Sequence, residues 1–257
     1  MPDPCCLQGA CYQHRPILEN SPILRASNTC PATDLSSPRA DSRAGLKGKL
    51  RLTGPGLLSA LKAGIGWGPG LGRLYFEYLH FRYRDPYGLE SKPYVKETYE
   101  RQLGALAGQR FRRGLELGCS VGTLTDRLAL HCDSLLAIDI SYGAVRRARQ
   151  RLKHRPGVRV ERRFLPDGLP AGPFDLIVCS EVLFFWSPET LLAALPRIEA
   201  ALAPGGVLLA NHWRGDNPDR PQQADDVHDL LGKRLRLRHV ATTTQPEYRL
   251  DHFEKSA

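Results

Sequence analysis

The sequence predicts an α/β fold: a seven-stranded, mostly parallel sheet that ends in an antiparallel hairpin and is preceded by helices. Three observations carry that expectation. From residue 113 onward, short apolar runs of strand length alternate with longer amphipathic segments, the mark of a parallel sheet covered on both faces. The first of these strands runs into a turn of small residues, Gly118 to Gly122, from which a helix departs. The last two strands are separated only by a short turn at Gln245-Pro246, so they are expected to pair antiparallel.

Taken in order, residues 1–45 combine Pro2, Pro4, Pro16, Pro22, Pro31 and Pro38 with small polar residues. Such a composition buries too little apolar surface to offset the entropy of ordering, so a disordered leader is expected. Residues 46–85 are expected to form a connector with an N-terminal helix, whose apolar face carries Leu74, Tyr75, Tyr78, Leu79 and Phe81. Asp85-Pro86-Tyr87-Gly88 supplies turn chemistry, and the main domain is expected over 86–257. It opens with a helix over 91–107, with Ser91 as N-cap and Pro93 in the first turn. Strands are expected at 113–117, 134–139, 158–164, 174–180 and 206–212. Helices fall at 122–131, 142–154, 188–202 and near 225–231, and the hairpin strands at 235–243 and 247–253 complete the sheet.

Composition narrows the function classes. The net charge of +9 invites a nucleic-acid reading, but residues 86–257 carry 25 basic and 21 acidic side chains. That near balance, with Arg146, Arg147, Arg149 and Arg151 on one helix, reads as a solvated face, and no nucleic-acid partner is expected. No run of eighteen apolar residues argues for a membrane span. The seven Cys contain no C-x-x-C pair, so no metal framework is expected. A basic n-region followed by an apolar h-region is absent at the start, which makes a cytoplasmic location the default expectation.

The most informative stretch is the first strand–turn–helix. Glu116, Gly118, Ser120 and Gly122 recur at alternate positions, where a pyrophosphate-binding turn would read G-x-G-x-x-G. A carboxylate there repels a diphosphate and suits a cationic amino-acid moiety. Asp139 ends the second strand about 20 residues on, where in a doubly wound sheet a carboxylate accepts hydrogen bonds from ribose hydroxyls. Cys119, Ile140 and Ser180 flank these positions, and Phe164 or Leu165 past the third strand are candidates to stack on a nucleobase.

With Glu116 to Gly122, Asp139, the run Phe174 to Leu183 and Pro204-Gly205-Gly206 in view, the chain resembles the class I methyltransferases, which are Rossmann-like and use S-adenosylmethionine. More narrowly it resembles the NodS type, on Asp85-Pro86-Tyr87, Ser91 through Tyr99, Ser180 to Leu183, His212-Trp213-Arg214 and Asp226-Val227-His228. That resemblance implies methylation of a small-molecule acceptor, the amine of an amino sugar or another biosynthetic intermediate. An O-methyltransferase of the same fold and an NAD-dependent oxidoreductase are the alternatives. Glu181 and His212, at the ends of the fourth and fifth strands, are the candidate catalytic bases. Phe184, Phe185, Trp186, Trp213 and Arg214 are expected to wall the acceptor, because aromatic faces attract cations. Tyr94 and Tyr99 are expected to close over the methionine end of the cofactor.

Overall fold

The computed structural model describes residues 69–216 and 220–257. The expected leader, and the connector up to its helix, lie outside the described residues. Seven strands form one sheet: β1 (Phe111–Leu117), β2 (Cys132–Asp139), β3 (Val158–Arg162), β4 (Phe174–Ser180), β5 (Leu202–Trp213), β6 (Arg238–Thr244) and β7 (Tyr248–Glu254), in the order β3-β2-β1-β4-β5-β7-β6. The first five run parallel, and β7 pairs antiparallel with both β5 and β6. The helices are α1 (Pro69–Arg82), α2 (Pro93–Gly104), α3 (Thr123–Leu128), α4 (Tyr142–Arg151), α5 (Pro188–Ala201) and α6 (Ala224–Arg234). No helix among the described residues is long and apolar enough to cross a membrane.

Strand alternation sorts the side chains into two layers. Leu115, Leu117, Ile177, Cys179 and Leu208 pack with Leu191, Leu195 and Ile198 of α5 and Val227 and Leu231 of α6. The intervening positions, including Leu176, Val178 and Leu209, pack with Tyr99 of α2 and Leu124 and Leu128 of α3, while Ala137 and Val160 meet Val145 and Ala148 of α4. Strand order reverses between β1 and β4, which opens a crevice at the carboxyl ends of the strands, where ligands of such sheets bind.

Several boundaries depart from expectation for identifiable reasons. Ser91 does not cap α2; the N-cap is Lys92, without a side-chain cap. The Asp85 carboxylate accepts the amides of Leu89 and Glu90, both at 2.9 Å, and the Gly88 carbonyl accepts those of Ser91 and Lys92, so Ser91 is consumed in the preceding turn. In α1 the inward side is not the apolar stripe: Leu74, Tyr78 and Phe81 are exposed, while Leu79 and His80 are buried. β5 starts at Leu202, and an irregularity opposite Phe174 and Leu176 absorbs Pro204-Gly205-Gly206. β3 stops at Arg162, short of Phe164.

Candidate active site

The site is built around the bend between β1 and α3. Gly118 and Gly122 adopt φ of 77° and 81°, the left-handed region that glycine enters without penalty. A Cβ on Gly118 would also stand 3.0 Å from Val182. Ser120 shares the strained hand with φ 48°. What holds it is Asp139, whose carboxylate accepts the amides of Ser120 and Ser141, each at 2.8 Å. Each carboxylate oxygen keeps a free lone pair, so Asp139 both ties the bend and remains able to accept from a ligand hydroxyl. Burial raises its pKa, against the Ser141 amide, the charge of His80 and the Ser120 amide.

The bend's own amides decide against a dinucleotide. Gly118 and Cys119 donate to Ile138, Ser120 to Asp139, and Gly122 to Cys119. A pyrophosphate would find these donors already engaged, whereas anion-binding turns present theirs to the ligand. The sheet agrees, because the β7–β6 pair is antiparallel where the dinucleotide fold continues parallel.

Glu116 lies beneath the bend, 2% exposed, with Oε2 lacking any partner. Desolvation pushes its pKa up to about 7, with Thr125 pulling it down and Asp139 adding to the rise. Tyr99 is buried beside it, and the charges of Glu116 and Glu181 both bear on its hydroxyl. Tyr94 donates to the Glu247 carbonyl at 3.1 Å and also feels Glu181. Tyr99 belongs to the core layer that holds Leu124 and Leu128, and Tyr94 packs against the same layer. Ser180 is buried with an unpartnered Oγ, Cys119 is buried, and the Ile140 carbonyl accepts from Arg162 at 3.0 Å.

Glu181 follows β4 with φ 57°, a left-handed conformation uncommon for a residue with a side chain. Its amide donates to Asn211 O at 2.8 Å, and Asn211 Nδ2 donates back to its carboxylate at 3.3 Å. Burial raises the Glu181 pKa to about 7, opposed by the charge of Arg220.

His212 departs from expectation. It is fully buried: Nε2 accepts the Leu183 amide at 3.1 Å, and Nδ1 meets His228 Nε2 at 3.0 Å. His228 Nδ1 in turn donates to Asp251 at 2.7 Å. With both nitrogens committed, His212 has no lone pair for an acceptor, and burial depresses its pKa well below the usual value. The expected acceptor wall also divides. Phe184 is buried 5.0 Å from the His212 ring, Phe185 packs edge-on to Phe184 and Phe76, and Trp186 belongs to the core. Arg214 does not face the acceptor, because it forks onto Asp225 and reaches Gln245 O. At the other end, Phe164 is 41% exposed, with the guanidinium groups of Arg73 and Arg162 lying over its ring at 4.8 and 5.1 Å; Leu165 packs against the core. A nucleobase stacking on Phe164 would compete with those arginines.

Three residues went unread in the sequence. His80 reaches Ser120 Oγ at 3.1 Å from α1, and Glu77 accepts from Ser141 Oγ and the Tyr142 amide while pairing with Arg162. Two polar residues three apart within the otherwise apolar and aromatic run Leu74 to Phe81 were the available signal. Arg220 lies over Phe184 and Trp213 at 3.9 and 4.7 Å; nothing in its sequence surroundings marks it.

A methyltransferase domain family matches residues 115–208. Nodulation protein S of Rhizobium tropici is 32% identical over 143 residues, 53% of this chain and 58% of that protein, so the chain spans little more than half of that curated relative's length. The crystal structure of a putative methyltransferase from Pseudomonas syringae is 37% identical, with a TM-score of 0.57 over 64% of this chain and 100% of the other. That of N-methyltransferase NodS from Bradyrhizobium japonicum WM9 in complex with S-adenosyl-L-homocysteine is 26% identical, with a TM-score of 0.65 over 72% and 99%. The chain belongs to the class I S-adenosylmethionine-dependent methyltransferases. Within them it is similar to the NodS proteins.

The crevice fits the cofactor of that family. Asp139 retains acceptor capacity for ribose, and the unpartnered Glu116 oxygen suits the ammonium of a methionine moiety lying over Gly118.

Proposed function

We propose that this chain transfers the methyl group of S-adenosylmethionine to the amine of a small-molecule acceptor, an amino sugar being the case suggested by the NodS relatives. The observation that carries this reading is Glu181: a carboxyl group one strand beyond the cofactor bend, with its pKa near neutrality at about 7. An amine must lose its proton to attack, and a base whose pKa lies near the working pH serves that best. The nitrogen lone pair forms the new N–C bond as the C–S bond breaks, sulfur keeps that electron pair, and the surplus proton passes to Glu181. A carboxylate of this basicity is far too weak to deprotonate an ordinary alcohol, which sets the O-methyl alternative lower. Buried aromatic rings around the site exclude water and favour in-line alignment, an effect worth about 7–11 kcal/mol in well-oriented systems.

Calorimetry with S-adenosylhomocysteine and turnover on an amine panel test this with two variants. Asp139→Ala should weaken binding at least about tenfold, the equivalent of one or two charge-assisted hydrogen bonds. Glu181→Gln should leave binding intact and slow turnover by about 10² to 10⁴-fold. Wild-type binding by Asp139→Ala, or tight NADH binding with no affinity for S-adenosylmethionine, would overturn the assignment.

A further inference from the structure

We propose that Arg220 grips an anionic group on the methyl acceptor, so that the acceptor is an amine which also bears a carboxylate. The inference rests on the amine-methylating reading above. One face of the Arg220 guanidinium is spent on the Phe184 and Trp213 rings, and Nη1 donates to Trp213 O at 3.1 Å. Nε is shut off from water with no acceptor, and no acceptor among the described residues engages Nη2. Arg220 also forms no ion pair among the described residues. A part-buried cation with an unengaged Nε–Nη2 edge presents the fork that binds a carboxylate through two parallel hydrogen bonds, and its burial is costly until an anion arrives.

Two carboxylates can meet this cation, the acceptor's and the cofactor's own, and the response of cofactor affinity to Arg220→Gln separates them. Neighbouring strands stand about 4.8 Å apart. Asp139 ends β2, Glu116 lies in β1, Glu181 follows β4, and Trp213, which holds Arg220, ends β5. The Arg220 guanidinium itself stands over Phe184, in the turn after β4, and feels the charge of Glu181 and then those of Tyr94, Tyr87 and Tyr75. An acceptor lying between Glu181 and Arg220 meets a base at its amine and a cation at its acid group.

Two measurements on the full chain test this, the first with S-adenosylhomocysteine bound and the second with S-adenosylmethionine as the methyl donor. In thermal-shift titrations, acetate should stabilise the wild type, and the stabilisation should vanish in Arg220→Gln and fall in Arg220→Lys, which keeps the charge and loses the fork. Turnover of matched amines, each with and without a carboxylate, should favour the carboxylated member, with KM raised at least tenfold in Arg220→Gln for that member alone. Equal acetate stabilisation in wild type and Arg220→Gln, or equal turnover of matched members, overturns the proposal. A loss of S-adenosylhomocysteine affinity in Arg220→Gln overturns it too, by assigning the arginine to the cofactor. Calorimetry of the wild type keeps the two readings apart: no binding of S-adenosylhomocysteine sinks the methyltransferase function itself.

Discussion

Three acidic side chains, Glu116, Asp139 and Glu181, converge on one crevice with their pKa values raised chiefly by burial. Buried carboxylates without cationic partners are rare because desolvation disfavours the charged form. Asp139 and Glu181 feel the charges of His80 and Arg220, but no cation offsets Glu116, and its burial makes sense if a ligand brings the missing positive charge. Nothing in the protein satisfies the Glu116 Oε2. A cationic amino-acid moiety would draw the Glu116 proton off, so below about pH 7 binding has to release a proton and is correspondingly weaker. Wild-type affinity for S-adenosylhomocysteine should therefore climb between about pH 5.5 and 7 and level off above, with proton release detectable by calorimetry in buffers of different ionisation enthalpy. In Glu116→Gln the release should disappear and the pH profile flatten. A variant that still releases the proton would move the titration to another group.

β5, α6 and β7 are joined by a hydrogen-bond chain that runs from the Leu183 amide through His212 and His228 to Asp251. Burial raises the Asp251 pKa, yet the hydrogen bond and charge of His228 hold it below the usual value, so the carboxylate anchors the direction of every proton in the chain. It thereby fixes the turn carrying Leu183 to Phe185, and Phe184 is the surface on which Arg220 rests. Asp251→Ala should lower the unfolding free energy by roughly 1–3 kcal/mol, the penalty for a buried donor left unsatisfied, while Asp251→Asn should recover part of it; denaturant titration reads both. No change in Asp251→Ala would mean that the chain contributes nothing to stability. The sequence could not reveal this link. His212, His228 and Asp251 are up to 39 positions apart, and a histidine at a strand end looks the same whether it faces ligand or core. Strand–helix alternation, by contrast, is written locally, which is why all seven strands and the antiparallel hairpin were legible. The failures share one cause. Ser91, the α1 face and Arg214 each turned on which partner a distant segment would supply: Asp85 and Gly88 for the first, the Ser120–Ser141 region for the second, Asp225 for the third.

Conflict between site and stability should appear in how the full chain responds to pH. For Glu116 and Glu181 the folded pKa, about 7, exceeds the usual 4.5. Their stabilisation is therefore complete below about pH 4.5 and is lost as pH rises through 7. Asp225 and Asp251 have the opposite sign, since their folded values are lowered; their stabilisation is present above the ordinary carboxylate range and is lost as acid protonates them. Stability of the ligand-free protein should accordingly peak near pH 5 and decline toward pH 8, by roughly 3 kcal/mol from Glu116 and less from the more exposed Glu181. S-adenosylhomocysteine at one hundred times its dissociation constant adds about 2.7 kcal/mol, enough to cancel much of that decline, because the ligand's ammonium compensates the charge that caused it. Thermal unfolding between pH 5 and 8, with and without the ligand, should show two curves that diverge as pH rises, and Glu116→Gln should flatten the ligand-free one. Parallel curves would show that the ligand's cation is not what these carboxylates await, and the cofactor would have to be placed elsewhere in the crevice.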